Sequence, residues 1–255
     1  MVHRSASQGF AQASEAYEQG RPGYPPEAVA RLARELELRP GRVVLDLAAG
    51  TGKLTALLAG TGAEVVAVEP VAEMRAVIER ALPGVAAYAG TAEEIPLETN
   101  GVDAVTVAQA FHWFRGDEAL AEIHRVLRPG GRLGLVWNIR DSSVAWVARL
   151  SEIIEPHRGD APAVRTGAWR EAFERTARFG PLRQVQVSHV HRLTPDGVVA
   201  RVASVSFVAT LPQAEREGVL AKVRDLLATD PVTRGRDEIE LPYRADLFWT
   251  GSLVD

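Results

Sequence analysis

The stretch VVLDLAAGTGKL at residues 43–54 decides the expected fold. Its apolar first half, broken only by Asp46, is typical of a strand that is buried on both faces of a sheet. Small residues then lead to Gly52, and a helical pattern begins at Lys53. A strand that turns this tightly into a helix brings backbone N–H groups close to any ligand at the helix N-terminus.

Strands and helices continue to alternate up to residue 137. Further strands are predicted at 64–69, 85–89, 103–107 and 131–137. Helical patterns separate them, and the one at 117–127 ends at RPGG, residues 128–131, where proline and glycine cannot continue a helix. This alternation indicates βαβ units and therefore a parallel sheet.

The alternation breaks beyond residue 140. Helices are predicted at 143–155, 167–178 and 195–229, the last with a Leu-Pro break at 211–212, and strands at 183–193 and 237–250. We expect Pro242 to interrupt the last strand, since prolines in sheets are found at edges. The predicted fold class is α/β: a Rossmann-like, doubly wound, mostly parallel seven-stranded sheet with an antiparallel edge hairpin and a helical cap insertion.

The composition of the 255 residues excludes several classes of protein. A hydrophobic fraction of 46% and a charged fraction of 24% are typical of a globular chain. The net charge of −4 offers nothing to a nucleic-acid backbone, and no apolar run approaches the roughly 20 residues of a membrane span. The absence of cysteine excludes thiolate metal sites and cysteine nucleophiles. We expect a cytoplasmic protein with no metal, nucleic-acid or membrane partner.

A ligand-binding role for the first turn depends on Glu69, which ends the second predicted strand. A carboxylate there can accept both ribose hydroxyls of an adenosine that lies across the strand ends. Dinucleotide sites have the pattern Gly-x-Gly-x-x-Gly, but Thr55 occupies the third glycine position here. Asp46, ahead of the turn, suits a ligand with a cationic end and no phosphate, such as S-adenosylmethionine. The alternatives are glycines that only shape a turn, and an NAD(P)-dependent enzyme.

Several segments carry a family resemblance as a set. They are Asp46–Gly52, Glu69-Pro70, Gly90–Glu93, Phe111–Phe114 and Leu127–Gly131. Together they resemble class I S-adenosylmethionine-dependent methyltransferases, in particular the small-molecule branch that includes trans-aconitate methyltransferases. The likeness covers residues 10–140 and extends more loosely over the tail, and Ala48 replaces the glycine of many members. It implies S-adenosyl-L-methionine as cofactor, S-adenosyl-L-homocysteine as product and a small-molecule methyl acceptor.

The resemblance also implies roles for the matched residues around the first turn. Asp46, Ala48 and Gly50 would line the methionine and ribose portion of the cofactor, and Gly52 would shape the turn. It further implies one domain over residues 1–255. Within it, an N-terminal segment and helix occupy 1–40, a cofactor-binding core 41–137, and the cap and hairpin 138–255.

The next matched residues belong to the adenosine end of the cofactor. Glu69 would hold the ribose hydroxyls, and Pro70 would lie against the adenine. Thr91, Ala92 and Glu93 match the loop whose backbone and side chains flank the adenine.

The remaining matched residues belong to the amino-acid end. Ala108 and Gln109 match the end of the fourth strand, beside this part of the cofactor. In the N-terminal segment, Arg21 would pair with the methionine carboxylate, and Tyr17 or Tyr24 would approach the sulfonium through a cation–π contact. The alternative is that this segment is a surface loop.

His112 is the candidate general base, because it follows the fourth strand at the sheet edge where ligands bind. Phe111 and Trp113 beside it are expected to shape the acceptor pocket. The alternative is a structural imidazole among packed aromatic side chains. His189 and His191 share one face of the predicted edge strand and are expected to be exposed polar positions.

Three further residues complete the expected acceptor pocket. Asn138 and Arg140 follow the fifth strand, and Phe207 lies in the apolar cap segment 196–211. Arg140 would recognise an acidic acceptor or would be a solvated loop residue. The cap segment would line a cavity or would be plain core.

The predicted function is methyl transfer to a small organic molecule by metal-independent in-line displacement, with oxygen as the preferred acceptor atom and carbon or nitrogen as alternatives. The alternative in another class is a fold that binds S-adenosylmethionine but catalyses a different step or only binds. A monomer or a homodimer is expected, and the identity of the acceptor stays open.

Overall fold

The computed structural model describes residues 22–253, which are organised around one mixed sheet. Its strands are β1 (Val43–Leu47), β2 (Glu64–Val68), β3 (Ala86–Tyr88), β4 (Val102–Ala108), β5 (Leu127–Arg140), β6 (Arg183–Leu193) and β7 (Ile239–Gly251). They lie in the order β3-β2-β1-β4-β5-β7-β6. The first five strands pair in parallel, and β7 pairs antiparallel with both β5 and β6. This confirms the predicted fold class.

Helices cover the sheet and form the cap. They are α1 (Pro26–Glu35), α2 (Lys53–Ala59), α3 (Ala72–Ala81), α4 (Gly116–Val126), α5 (Ala145–Ile154), α6 (Glu171–Arg175), α7 (Pro195–Ala203), α8 (Ser206–Ala209) and α9 (Gln213–Thr229). The helix expected over 167–178 is only α6 after a 3-10 turn, because Gly167 is left-handed at φ 75° and Thr176 is extended. The break expected at 211–212 separates α8 from α9, and the segment before it is further divided into α7 and α8.

Pro242 does not interrupt β7, so that part of the prediction is wrong. The carbonyl oxygen of Pro242 accepts a hydrogen bond from the Asp141 N–H at 3.0 Å. A residue's N–H and C=O point to the same side of a strand, so the missing N–H of the proline faces the end of β5. The ladder with β6, where Pro242 pairs with Val190, therefore loses no donor.

Three hydrophobic clusters hold the layers together. One lies between the sheet and α4 and contains Ile123 and Trp137, and a second lies under α1 and α2 and contains Leu32 and Leu58. The third belongs to the cap, where α5, α7 and α9 pack on the beginning of β7 around Tyr243. The cap therefore packs on one end of the sheet through a hydrophobic cluster that it shares with β7.

A buried carboxylate joins β1, α2 and β4 at the point where the chain turns. Asp46 is 0% exposed, and its Oδ2 accepts a hydrogen bond of 2.6 Å from the Thr55 hydroxyl of α2. Its Oδ1 accepts one of 3.1 Å from the Thr106 hydroxyl of β4. Burial raises the pKa of Asp46 to about 6, although the two hydroxyl groups oppose the rise. We call these three residues the Asp46 brace.

The Asp46 brace predicts a specific dependence of stability on pH. The folded state binds this proton more tightly than the unfolded chain, so the contribution of Asp46 is present below about pH 4 and is lost as the pH rises through 6. A rise in pKa from 3.8 to about 6 corresponds to about 3 kcal/mol. Between pH 4 and 7.5, the free energy of unfolding should therefore fall by about 3 kcal/mol more in the wild type than in Asp46→Asn, measured by urea denaturation.

Asp103→Asn is the matched control for this experiment. Burial works against the charge of Asp103, but the Val43 N–H and the guanidinium groups of Arg42 and Arg128 hold its pKa below the usual value. Its contribution is present at neutral pH and lost on acidification, so its replacement should change the pH dependence in the opposite direction. Equal pH dependence in the wild type and Asp46→Asn would contradict the role of the brace.

Candidate functional site

A cavity of about 210 Å³ opens at the carboxyl ends of β1, β2 and β4. We call it the first cavity. The sequence-predicted residues that line it are Tyr24, Ala48, Gly50, Glu69, Pro70, Thr91, Ala92, Glu93, Ala108, Gln109, Trp113 and Asn138. The strand order reverses between β1 and β4, which is where open α/β sheets bind their ligands.

The backbone at the mouth of the first cavity is bent at two neighbouring strand ends. Ala48 after β1 has a φ of 57°, and Gln109 after β4 has a φ of 59°. Left-handed backbone is uncommon for residues with a Cβ and is concentrated at functional sites. Gly50 has a φ of 59°, and a Cβ built on it would meet nothing within 4 Å, so this glycine faces open space. These bends clear the sheet edge for a ligand.

Glu69 forms the part of the first cavity's wall that lies between the turn after β1 and the turn after β2. It is 5% exposed, and its Oε2 accepts the Gly50 N–H at 2.9 Å while its Oε1 accepts the Val71 N–H at 3.0 Å. Burial raises the pKa of Glu69, and these two backbone groups oppose that rise. Each oxygen keeps a second lone pair for a ligand hydroxyl. The guanidinium of Arg75 supports the segment by donating to the carbonyl oxygens of Glu69 and Pro70.

Asp46 and Gly52 do not line the first cavity. The resemblance implies that Asp46 lines the cofactor. In the structure, its two carboxylate oxygens instead accept hydrogen bonds from Thr55 and Thr106 and do not reach the cavity. Gly52 has the expected turn-forming role, since it precedes α2 in the left-handed conformation at φ 86°. Tyr17 and Arg21 lie outside the described residues.

Asn138 joins the N-terminal segment to the sheet. Its Nδ2 donates to the Gly23 carbonyl at 3.0 Å, and its Oδ1 accepts from His189 Nε2 at 3.0 Å. His189 also stacks on Tyr243, with ring centroids 5.7 Å apart. His189 and His191 are therefore half-buried and not the exposed polar positions that the alternation suggested, because their strand face packs against the site. Pro22 and Tyr24, which line the first cavity, are thereby anchored beside β5.

A second cavity of about 190 Å³ adjoins the first. The residues that line both cavities are Gln109, Trp113, Asn138 and Arg201. The predicted residues His112, Arg140 and Phe207 line the second cavity. Phe111 lines neither: it is 1% exposed and packs on Trp169, with ring centroids 6.2 Å apart. Its side chain therefore faces the core and not the acceptor pocket in which the sequence predicts it.

The surroundings of His112 favour a hydrogen-bond donor. Its Nδ1 lies 3.2 Å from Trp137 Nε1, which can only donate, so the neutral ring carries its proton on Nε2. Burial, and then the positive charge of Arg158, lower the pKa of His112 to about 4. The role of general base stays a prediction, and the contact with Trp137 counts against it.

Sequence reasoning missed several residues of the two cavities. Lys53 lines the first cavity, and its place directly after the Gly52 turn is a local signal for this. Arg158 and Arg165 line the second cavity and Arg201 lines both, although they come from the cap, far along the chain from the turn. No sequence motif predicts those residues, because only the packing of the cap brings them to the edge of the sheet.

Within residues 22–253, no group of three or more histidine, cysteine, aspartate or glutamate side chains is arranged to hold a metal ion. No helix in the same range combines the length and apolar character needed to cross a bilayer.

The protonation of His112 can be tested directly. With a pKa of about 4, its ring should stay neutral and keep its proton on Nε2 from pH 5 to pH 8. Long-range ¹H–¹⁵N spectra of the imidazoles, with the His112 signals assigned from their loss in His112→Gln, measure both properties. A titration midpoint between pH 6 and 7 would instead support the role of His112 as general base.

Comparisons with known proteins agree with this geometry. The family described as a methyltransferase domain matches residues 45–135. An uncharacterised methyltransferase of Mycobacterium bovis is 47% identical over 240 residues, which cover 94% of each chain. The structure of a candidate type II methyltransferase from Anaeromyxobacter dehalogenans is 25% identical with a TM-score of 0.66, and covers 91% of this chain and 97% of that one.

A third protein shares the fold at lower identity. It is phosphoethanolamine N-methyltransferase 2 of Haemonchus contortus, in complex with phosphomonomethylethanolamine and S-adenosylhomocysteine. It is 18% identical with a TM-score of 0.55, and covers 94% of this chain and 56% of that one. The match to the mycobacterial relative over 94% of both chains shows that this chain belongs to the methyltransferase family and is an enzyme.

Proposed function

We propose that this methyltransferase uses S-adenosyl-L-methionine and transfers the methyl group to a small organic molecule, at oxygen, by metal-independent in-line displacement. The observation that carries the proposal is the first cavity, where the buried Glu69 carboxylate stands between two strand-end turns. The segments that resemble class I enzymes of the small-molecule branch, including trans-aconitate methyltransferases, support the same assignment.

The hydrogen bonds of Glu69 favour this cofactor over a dinucleotide. The Gly50 N–H at the turn is donated to Glu69 Oε2 at 2.9 Å. A pyrophosphate at this turn would need such backbone donors and would lie against a carboxylate, which repels it. A ribose brings two hydroxyl donors to the same oxygens. The residues present therefore suit an adenosine with no phosphate.

Other residues of the first cavity fit the rest of the cofactor. Pro70 and the loop Thr91–Glu93 would hold the adenine. Ala48, Gly50 and Gln109, at the two bent strand ends, would hold the amino-acid portion.

The chain's own residues then align and shield the reaction. When bound, S-adenosylmethionine supplies a methyl group on a positively charged sulfur, with neutral S-adenosylhomocysteine as the leaving group. Trp113 and Phe114 give the first cavity an aromatic wall, which excludes water and stabilises positive charge. Gln109 and Asn138 line both cavities, so they can orient an acceptor toward the cofactor.

The second cavity favours methyl transfer over the alternative of a protein that only binds S-adenosylmethionine. A binding protein needs the first cavity alone, whereas a transferase needs an adjoining space for an acceptor. The ligand of the Haemonchus contortus protein, phosphomonomethylethanolamine, carries a phosphate as well as an amine. The arginines of the second cavity in this chain repel an acceptor whose only charge is a cationic amine, which supports oxygen over the nitrogen of such an amine.

The broader expectations stay predictions. We propose one methyltransferase domain for the whole chain, with the N-terminal segment and helix in 1–40, the cofactor-binding core in 41–137, and the cap and hairpin in 138–255. A cytoplasmic location, a monomer or homodimer, and the lack of nucleic-acid and membrane partners belong to the same proposal.

Calorimetric titration with S-adenosylhomocysteine, NADH and NADP⁺ tests the cofactor. We expect saturable binding of S-adenosylhomocysteine alone. Glu69→Gln should weaken it at least tenfold, because hydrogen bonds to a charged group contribute about 1.5–3 kcal/mol. Glu64→Gln is the matched control, since Glu64 is exposed at the other end of β2 and should leave the affinity unchanged. Binding of a nicotinamide nucleotide, or equal affinities in the wild type and Glu69→Gln, would contradict the proposal.

A further inference from the structure

His189 lines neither cavity but contacts a residue that lines both. Asn138, near the end of β5, lines the first and the second cavity. The Nε2 atom of His189, on the edge strand β6, lies 3.0 Å from Asn138 Oδ1. Through this contact, a strand at the edge of the sheet reaches the residue at which the two cavities meet.

The pairing of the last three strands explains how His189 spans β7. Asn138 of β5 pairs with Ala245 of β7, and His189 of β6 pairs with Tyr243 of β7. Tyr243 and Ala245 are two positions apart, so their side chains lie on the same face of the sheet. The imidazole stacks on Tyr243, which is 1% exposed, with ring centroids 5.7 Å apart. Because alanine has a short side chain, the imidazole can cross β7 above Ala245 and reach Asn138.

The donors and acceptors along these contacts have one consistent assignment. Backbone carbonyl groups only accept, so Asn138 must turn its Nδ2 toward the Gly23 oxygen at 3.0 Å and the Pro22 oxygen at 3.4 Å. Its Oδ1 then faces His189 and can only accept. The imidazole must therefore carry a proton on Nε2. Burial lowers the pKa of His189, so the ring is neutral at pH 7 and above.

The orientation of the Asn138 amide depends on this proton. An amide turned by 180° would present Oδ1 to the carbonyl oxygens of Pro22 and Gly23, and no hydrogen bond forms between two acceptors. The same turn would bring the NH₂ group against the Nε2–H of His189, where two donors meet. The imidazole therefore selects the orientation in which Asn138 binds the N-terminal segment.

The segment that Asn138 binds forms part of the first cavity. Pro22 and Tyr24 line this cavity, and the carbonyl groups that accept from Asn138 belong to Pro22 and Gly23. Residues 22–25 belong to no helix or strand, so their position depends in part on side-chain hydrogen bonds of this kind. The amide of Asn138 thus connects the wall of the first cavity to the sheet.

We propose that His189 is a positioning residue for cofactor binding: its Nε2–H fixes the Asn138 amide, and the amide holds segment 22–24 in place beside the first cavity. This inference rests on the proposed function and adds a residue that lines neither cavity. A segment that is held in place before the cofactor arrives loses less conformational entropy when the cofactor binds. Loss of the donor on His189 therefore weakens cofactor binding without removing any contact to the cofactor.

Calorimetric titration of the full chain with S-adenosylhomocysteine tests this role. His189→Gln keeps a side-chain N–H donor in place of Nε2, His189→Leu removes the donor, and His189→Glu replaces it with oxygens that only accept. We expect His189→Gln to bind within about twofold of the wild type and His189→Leu about fivefold more weakly. His189→Glu should bind at least as weakly as His189→Leu, because its carboxylate favours the turned amide. Equal affinities in the wild type and His189→Leu, or no recovery in His189→Gln, would overturn the proposal.

His124→Leu is the matched control for the loss of an imidazole. The Nε2 atom of His124 also lies 3.0 Å from an oxygen, the Leu253 carbonyl, but His124 lines neither cavity. Its replacement should leave the affinity for S-adenosylhomocysteine unchanged.

A double-mutant cycle separates positioning from a general loss of stability. In Asn138→Ala the link between β6 and segment 22–24 is already broken, so adding His189→Leu should weaken binding by less than about twofold. A further fivefold loss in that background would show that His189 does not act through Asn138 and would overturn the proposal.

Long-range ¹H–¹⁵N spectra of the imidazoles test the link without any ligand, and they need no variant at 189 that might not fold beyond the conservative His189→Gln used for assignment. We expect the wild type to show a His189 Nε2–H signal that exchanges slowly with water, and Asn138→Ala to lose this protection. A wild-type ring protonated on Nδ1, or equal protection in Asn138→Ala, would overturn the assignment.

The two possible failures are distinguishable. If S-adenosylhomocysteine does not bind the wild type, the proposed function is wrong, and this inference is wrong with it. If S-adenosylhomocysteine binds the wild type and His189→Leu equally, the cofactor assignment stands and the positioning role of His189 is wrong.

Discussion

The hydrogen bonds between Asp46, Thr55 and Thr106 are the constraint on which the site depends. A fully buried carboxylate must find donors, and here the donors come from α2 and from β4. The three elements therefore meet at one defined point, and the chain leaves it through the left-handed Ala48. This contact positions β1 and β4, two of the three strands that border the first cavity, although Asp46 itself does not reach the cavity.

The two cavities differ in electrostatic character. Among the described residues, the first cavity balances two carboxylates, Glu69 and Glu93, against two cationic side chains, Lys53 and Arg201. The second presents four guanidinium groups around the Glu155 carboxylate. The walls of the second cavity therefore have an excess of positive charge that the walls of the first do not have.

The proposed acceptor side combines the cap with the ends of two strands. Arg158, Arg165 and Arg201 come from the cap, whereas Arg140 ends β5 and Tyr243 lies on β7. The cofactor side is built from loops at the strand ends of the sheet. The hydrophobic cluster of the cap includes residues at the beginning of β7, so the cap and the sheet are packed together at this end.

The sequence by itself determined the parallel sheet, the tight turn after β1 and the carboxylate at the end of β2. These features are local: an apolar run, a glycine-rich turn and an acidic residue at a strand end each follow from a few adjacent residues. The local pattern pointed to Glu69, and the family resemblance pointed to Ala48, Gly50 and Gln109; these four residues line the first cavity.

Only the tertiary structure decided which way several side chains point and what meets the sheet from far along the chain. The sequence around Asp46 does not distinguish a carboxylate that lines a cavity from one that is bonded to two threonines. The sequence around Phe111 likewise does not distinguish a pocket from the core. His189 reaches Asn138, and Arg201 reaches the strand ends, through the antiparallel hairpin and the cap. The physical reason is that these contacts depend on long-range packing, which leaves no period or motif in the chain.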